Sequence, residues 1–273
     1  MSARLCLLCC FSTLLVALGA CGARGAARLS GTPLANTGDV AASAEHNFAL
    51  SPDGAWLSFT PLTDDGFRPA FVLYNLRTGE RHLAQPDART AELGAGGLGP
   101  LRQAGCWSDD SNSVTLPGDV AIFTVAPVGP GAQIVAQDAT PAQQGVLAGC
   151  RQDAGGPPQS VQVQQLGAGE VALLHDGQQI ARFSSSNPTV TAVEVRYLSF
   201  APGGSHIAYE VVERQGSFVA SRGYVQQLAA SASPLLLAEP VFGPLRFGYD
   251  GTSLYGLTRT AAGDSIYRWD IAP

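Results

Sequence analysis

The sequence predicts an all-β domain built from about five repeats of a four-stranded unit. Three observations carry that expectation. Short apolar runs alternate with Gly- and Pro-rich punctuation, with 32 Gly and 18 Pro in 273 residues, a pattern of strands and tight turns. Turn markers recur, beginning at Ser51, Ser108, Asp153, Ala201 and Tyr249, at intervals of about 57, 45, 48 and 48 residues, the length of a four-stranded repeat. No long stretch keeps apolar residues at three-and-four spacing, so no helix is expected.

The first repeat is the clearest. Strands are expected at Asn47–Leu50, Trp56–Phe59, Ala70–Leu76 and Arg81–Ala84. Ser51-Pro52-Asp53-Gly54 separates the first two and Thr78-Gly79 the last two. Asp bonds its own backbone and Gly takes positive φ without a Cβ clash, so Asp53-Gly54 reverses the chain. One such unit cannot bury both faces alone and needs neighbours.

These residues carry a resemblance. Phe48-x-x-Ser51-Pro52-Asp53-Gly54-x-Trp56-Leu57-x-Phe59, followed by Val72-Leu73-Tyr74-Asn75-Leu76-x-Thr78-Gly79-Glu80, resembles the WD-repeat-like unit of TolB-type β-propellers. The resemblance implies a β-propeller of about five four-stranded blades, within a range of four to six. TolB-type proteins carry an α/β domain ahead of the propeller, for which this chain leaves no room. Their envelope-complex role is therefore not expected to transfer.

The later repeats follow in order. Asp87–Gly99 is Ala- and Gly-rich and reads as a loop. The second repeat offers Leu101–Trp107, a turn at Ser108-Asp109-Asp110-Ser111, then Ser113–Leu116, Val120–Val125 and Gln133–Ala136. The third offers Val146–Cys150, a loop through Asp153–Pro158, then Ser160–Gln165, Val171–His175 and Gln179–Ser184, the last two flanking Asp176-Gly177. The fourth runs Val193–Phe200, Ala201-Pro202-Gly203-Gly204, His206–Val212, Tyr224–Leu228 and Leu235–Leu237. The fifth has Leu245–Gly248, Tyr249-Asp250-Gly251-Thr252, Ser253–Thr258 and Ser265–Ile271, and lacks a fourth strand. Open sheet edges are avoided in natural proteins, so Ala26–Leu34 is expected to supply that strand and close the ring.

The amino terminus reads as an export signal. Arg4 precedes an uncharged apolar stretch, Leu5–Leu18, too short to span a bilayer, which takes about 20 residues. Leu18-Gly19-Ala20-Cys21 resembles a bacterial lipobox, which implies cleavage before Cys21 and acylation (palmitate) of that residue. Simple secretion by cleavage after Ala20 is the plainer alternative. The expected organisation is a signal peptide at 1–20, a lipidated Cys21 and Gly/Ala-rich tether at 21–45, and a propeller at 46–273. The expected location is extracytoplasmic and membrane-anchored. Gly22 in place of Asp after Cys21 tilts it to the outer membrane facing the periplasm.

With Cys6, Cys9 and Cys10 lost with the signal and Cys21 acylated, Cys106 and Cys150 remain as one pair. Each precedes an Asp by three, so they occupy matching places in successive repeats. On neighbouring blades such positions come within disulfide reach near the axis; two buried thiols are the alternative.

Candidate chemistry is sparse. His46, His82, His175 and His206 are dispersed without metal-ligand spacing, and no Gly-x-Ser-x-Gly elbow is present. No cofactor, metal or catalytic residue is expected. Ser51, Pro52, Asp53, Gly54, Asp109, Asp250 and Gly251 read as structural turn residues. Asp64-Asp65-Gly66 and Asp109-Asp110 read as solvated turn formers. Trp56, Trp107 and Trp269 read as packing between blades, with ligand stacking at a channel mouth as the sharper alternative. Arg68, Arg77 and Arg81 read as a solvated outer edge. Net charge is −6 and all sixteen basic residues are scattered Arg, which argues against nucleic acid. The function expected is non-catalytic binding of an envelope protein or ligand. A carboxylate-using glycosidase or lyase and a purely structural lipoprotein are the alternatives.

Overall fold

The computed structural model describes residues 27–40, 48–61, 71–95, 105–117, 121–138, 160–229, 232–260 and 263–272. The stretch read as a signal peptide, Cys21, His46, Asp64-Asp65-Gly66, Arg68, Val146–Cys150 and the turn expected at Asp153 lie outside them.

Two short strands come first, β1 (Arg28–Leu29) and β2 (Thr32–Pro33). Then β3 (Phe48–Leu50), β4 (Trp56–Phe59), β5 (Phe71–Asn75) and β6 (Arg81–Pro86) form an antiparallel meander. After α1 (Ala88–Ala95), a second meander follows: β7 (Cys106–Trp107), β8 (Val114–Pro117), β9 (Ala121–Ala126) and β10 (Gln133–Asp138). The third unit is β11 (Val161–Gly167), β12 (Glu170–His175) and β13 (Gln178–Ser184). The fourth is β14 (Ala192–Phe200), β15 (His206–Gln215), β16 (Phe218–Gln227) and β17 (Leu235–Leu237). The fifth is β18 (Arg246–Phe247), β19 (Ser253–Thr260) and β20 (Gly263–Asp270).

Three departures from the sequence reading stand out. Asp87–Gly99 is not all loop. Its helix α1 starts where the Asp87 carboxylate accepts from the Thr90 N–H at 2.7 Å, capping a donor that would otherwise be orphaned. Second, the outer strands of the first two units pair in parallel, β6 with β10 through Gln85↔Gln133 and Pro86↔Ile134, so these units share one eight-stranded sheet. Third, besides the outer strand that Ala26–Leu34 was expected to supply, more of the stretch read as tether belongs to the fold. β2 pairs antiparallel with β20 as its outer strand, and β1 adds a fifth strand beside β17. Beyond them, Ile266 N–H donates to the Thr37 hydroxyl, Val40 bridges Pro61 and Arg81 clasps Asp39 with both terminal nitrogens, at 2.9 and 2.7 Å. Residues 28–40 thus stitch the fourth, fifth and first units together. Arg81 is therefore a clamp rather than a solvated edge.

The core follows from period-2 alternation on strands covered on both faces. Along β5, Phe71 and Leu73 pack with Val114, Leu116 and Phe123 of the second unit. Val72 and Tyr74 point the other way, toward Tyr255, Leu257 and Ile266 of the fifth. Along β15, Ile207, Tyr209 and Val211 meet Val171 and Leu173 of the third unit. Ala208 meets Leu245, Leu254 and Trp269 of the fifth. The units therefore stack face to face in the order third, fourth, fifth, first, second.

Two cross-unit bonds fix the direction of the third unit. The Ala168 carbonyl, in the β11–β12 turn, accepts from Val193 where β14 begins. The Ile180 carbonyl near the start of β13 accepts from Gln226 near the end of β16. The strands β11, β12 and β13 therefore match the second, third and fourth strands of the other units.

Candidate binding cleft between the first and last units

Four turns share one architecture, which follows from their residues. At the first, the Ser51 hydroxyl donates to Asp53 Oδ1 and accepts from Trp56 N–H at 2.8 Å, while Asp53 Oδ1 also accepts from Ala55 N–H at 3.0 Å. Gly54 takes φ 66°, the left-handed conformation that favours glycine. The second turn repeats this with Ser108 on Asp110 Oδ1 at 2.6 Å and Asn112 N–H on the same oxygen at 3.1 Å. Asp110, not Asp109, is the counterpart of Asp53; Asp109 stands where Pro52 stands. The fifth-unit turn begins one residue earlier than the sequence suggested, because Gly248 pairs with Ser253 as Ser51 pairs with Trp56. Asp250 then accepts from Thr252 N–H, Ser253 N–H and the Ser253 hydroxyl, each at 2.9 Å. Gly251 sits at φ 67°. At the fourth turn Ala201 pairs with His206 and Gly204 with Ala201 in the same register.

The turns abut one another. Asp53 N–H donates to the Ser111 hydroxyl at 3.0 Å, joining the first turn to the second. A Cβ on Gly251 would lie 3.6 Å from the Pro202 carbonyl oxygen, so the fifth turn lies against the fourth. Between the fifth and the first the turns part and leave a cleft of about 350 Å³. Buried Leu50 and Tyr255 and half-buried Leu76 form its floor. Asp53, Gly54, Asp250 and Tyr249 are exposed at its mouth, with Tyr249 at 38%.

The electrostatics separate holding from reacting. Burial pushes the Asp250 carboxyl up, but the hydrogen bonds from Ser253 and Thr252 outweigh it and leave the group below its ordinary range. It stays ionised and occupied with its own turn. Burial pushes the Tyr255 phenol up, so it stays neutral. The cleft thus offers fixed negative charge, aromatic surface and an apolar floor. Asp53 and Asp250 both accept from backbone N–H groups of their own turns. Among the described residues no group of three His, Cys, Asp or Glu could hold a metal, and no helix is long and apolar enough to cross a membrane.

The other sequence candidates fall elsewhere. Trp269 is fully buried between the fourth and fifth units, and Trp107 donates from the second unit to the Ser58 hydroxyl of the first at 3.0 Å. Trp56 packs against the shared core of the first two units. Cys106 is disulfide-bonded and lies on β7, the first strand of its unit. Two buried charges escaped the sequence reading. Arg246, 4% exposed, lies 5.8 Å over the Phe48 ring. Glu210, also 4% exposed, accepts from the Ser221 hydroxyl and is pushed up by burial. Its signal was readable: Ala208, Glu210 and Val212 share one phase of an apolar strand.

No protein-family model matches the chain, and no curated protein matches it. Solved structures that the chain matches include an oligogalacturonate lyase from Vibrio parahaemolyticus, 10% identical with a TM-score of 0.40, covering 88% of this chain and 92% of that one. The Cps50 (Swd1) β-propeller domain of Myceliophteria thermophila is 10% identical with a TM-score of 0.26, covering 82% and 83%. A TolB-assigned protein from Agrobacterium tumefaciens is 10% identical with a TM-score of 0.26, covering 80% and 70%. At such scores the likeness carries no argument about activity or partners.

Proposed function

We propose that the chain is a five-bladed β-propeller that acts as a non-catalytic binding module, held outside the cytoplasm by lipid on Cys21. One observation carries the binding reading. The cleft between the first and last units is open and chemically varied, yet its carboxylates are committed to their own turns. The ring reading is supported by the face-to-face stacking of successive units, the packing of the fifth on the first, and the stitch made by residues 28–40. The remaining junction is between the second and third blades. Among the described residues β11 pairs only with β12, and Val146–Cys150 is the stretch we propose as the first strand of that blade. A Cys106–Cys150 bridge would then join two first strands near the axis.

The test is chemical crosslinking in the native envelope followed by affinity capture of the full-length protein, alongside turnover assays on a panel of glycans. A specific crosslinked partner without turnover supports the reading, and turnover abolished by substituting a cleft carboxylate replaces it with an enzyme. Anchoring is tested separately by metabolic labelling with a clickable palmitate. Label on the parent and none on Cys21→Ser is expected, whereas label on neither removes the anchor.

A further inference from the structure

We propose that the cleft between the first and fifth units seats an arginine side chain presented by a protein partner. This rests on the binding-module reading and names the chemistry of its ligand. The mouth carries two carboxylates on opposite walls, Asp53 from the first unit and Asp250 from the fifth. Their hydrogen-bonded turns hold both in place, so no ordering is needed when a ligand arrives. Tyr249 joins them at the mouth, and Tyr255, Leu50 and Leu76 form the floor.

A guest that suits all three surfaces needs an apolar stem, a planar head that stacks on a phenol ring, and positive charge. Guanidinium meets these conditions. It is weakly hydrated, stacks on aromatic faces and stays charged at any working pH. Lysine offers the stem and charge but carries a compact, strongly hydrated head. Arg268, whose charge acts on Tyr255, is paired with Asp270 at 2.8 Å, and the charged side chains among the described residues that line the cleft are Asp53 and Asp250. The cleft is made by two units rather than one turn, so it exists only where the last unit meets the first. That explains why no single repeat of the sequence reveals it.

The experiment uses the full chain in detergent and fluorescent nonapeptides of Gly and Ser with one central residue: arginine, citrulline, lysine or norleucine. Citrulline keeps the shape of arginine and removes the charge. The arginine peptide is expected to bind at least tenfold more tightly than the citrulline peptide, with affinity falling as salt is raised. Leu76→Trp, which fills the floor, is expected to abolish binding, and Tyr249→Ala to weaken it several-fold. Thermal melts verify that both variants fold. Equal binding of arginine and citrulline peptides, or unchanged binding to a folded Leu76→Trp variant, overturns the inference. A partner captured in the envelope that binds Leu76→Trp as well as the parent also overturns it, while leaving the binding-module reading intact. Failure of every peptide together with the absence of any captured partner removes both.

Discussion

The indole N–H of Trp269 donates to Glu239 Oε2 at 2.9 Å, and the Gly31 N–H donates to the same oxygen at 3.0 Å. One carboxylate thus satisfies a fully buried tryptophan and pins the chain between β1 and β2. Glu239→Ala leaves both donors unsatisfied, and such losses cost about 1–3 kcal/mol per buried group. Gly31→Ala is expected to be as harmful, since its Cβ would lie 2.5 Å from Trp269 Nε1 on a ring with no room to move. Equilibrium denaturation of each variant checks both.

Removing all residues before Asp39 deletes β1 and β2, bares the edges of β17 and β20, and removes Leu29 and Leu34 from the clusters they pack against. The loss expected is on the order of 3 kcal/mol. A chain starting at Ala27 keeps every one of these contacts and is expected to match the full domain. Identical melts for the two truncations would contradict the closing role of the segment.

The second turn discriminates between adjacent aspartates. Asp110 accepts from Ser108, and from Asn112 through both backbone and side chain, and these bonds hold its carboxyl below the usual range. Asp110→Ala is expected to lower the melting temperature by ~2–4 °C, the response to a modest local loss in a domain of this size. Asp109→Ala is expected to change it by less than the error of measurement. The reverse ranking would mean that the turn register described above is wrong.

That pair also illustrates what the sequence makes legible. Asp-Gly and Pro-Gly signals located the turns, because turn chemistry is local. Ser108-Asp109-Asp110-Ser111 offered two equivalent carboxylates, and the bonds from Ser108 and Asn112 select between them. Helix α1 was hidden because it is only eight residues long and sits in an Ala- and Gly-rich stretch. Its anchor is tertiary: the Thr90 hydroxyl accepts from Ala136 N–H at 2.7 Å. The β6–β10 pairing and the cleft escaped for the same reason. Both join segments far apart in the chain, and neither leaves a periodic trace.

Cys106 provides a further test. On the proposed pairing with Cys150, the bridge closes a loop of about 44 residues, worth ~4 kcal/mol on the chain-entropy model. Peptide mapping without reductant is expected to recover the crosslinked fragment joining these two cysteines. Cys106→Ser is expected to lose a comparable stability, and reductant is expected to destabilise the parent but not the variant. A crosslink from Cys106 to any other cysteine would refute the pairing.

Glu210 sets the sign of a pH effect. Burial lifts its carboxyl above the ordinary value, although hydrogen bonds from Ser221 and the Gly243 amide and the charge of Arg196 pull the other way. The unfolded chain releases this proton near pH ~4.3, while the folded protein still holds it. Between that pH and the higher folded value the unfolded state binds fewer protons, so stability from this group falls as pH rises and then levels off. Below the window both states are protonated and the group contributes no slope. Glu210→Gln keeps an acceptor for Ser221 and cannot ionise, so the slope disappears. The variant is expected to melt ~2–4 °C above the parent at pH 8, with a smaller difference at pH 4. A variant that loses ground against the parent as pH rises from 4 to 8 would show that the buried carboxylate is stabilised as an anion instead.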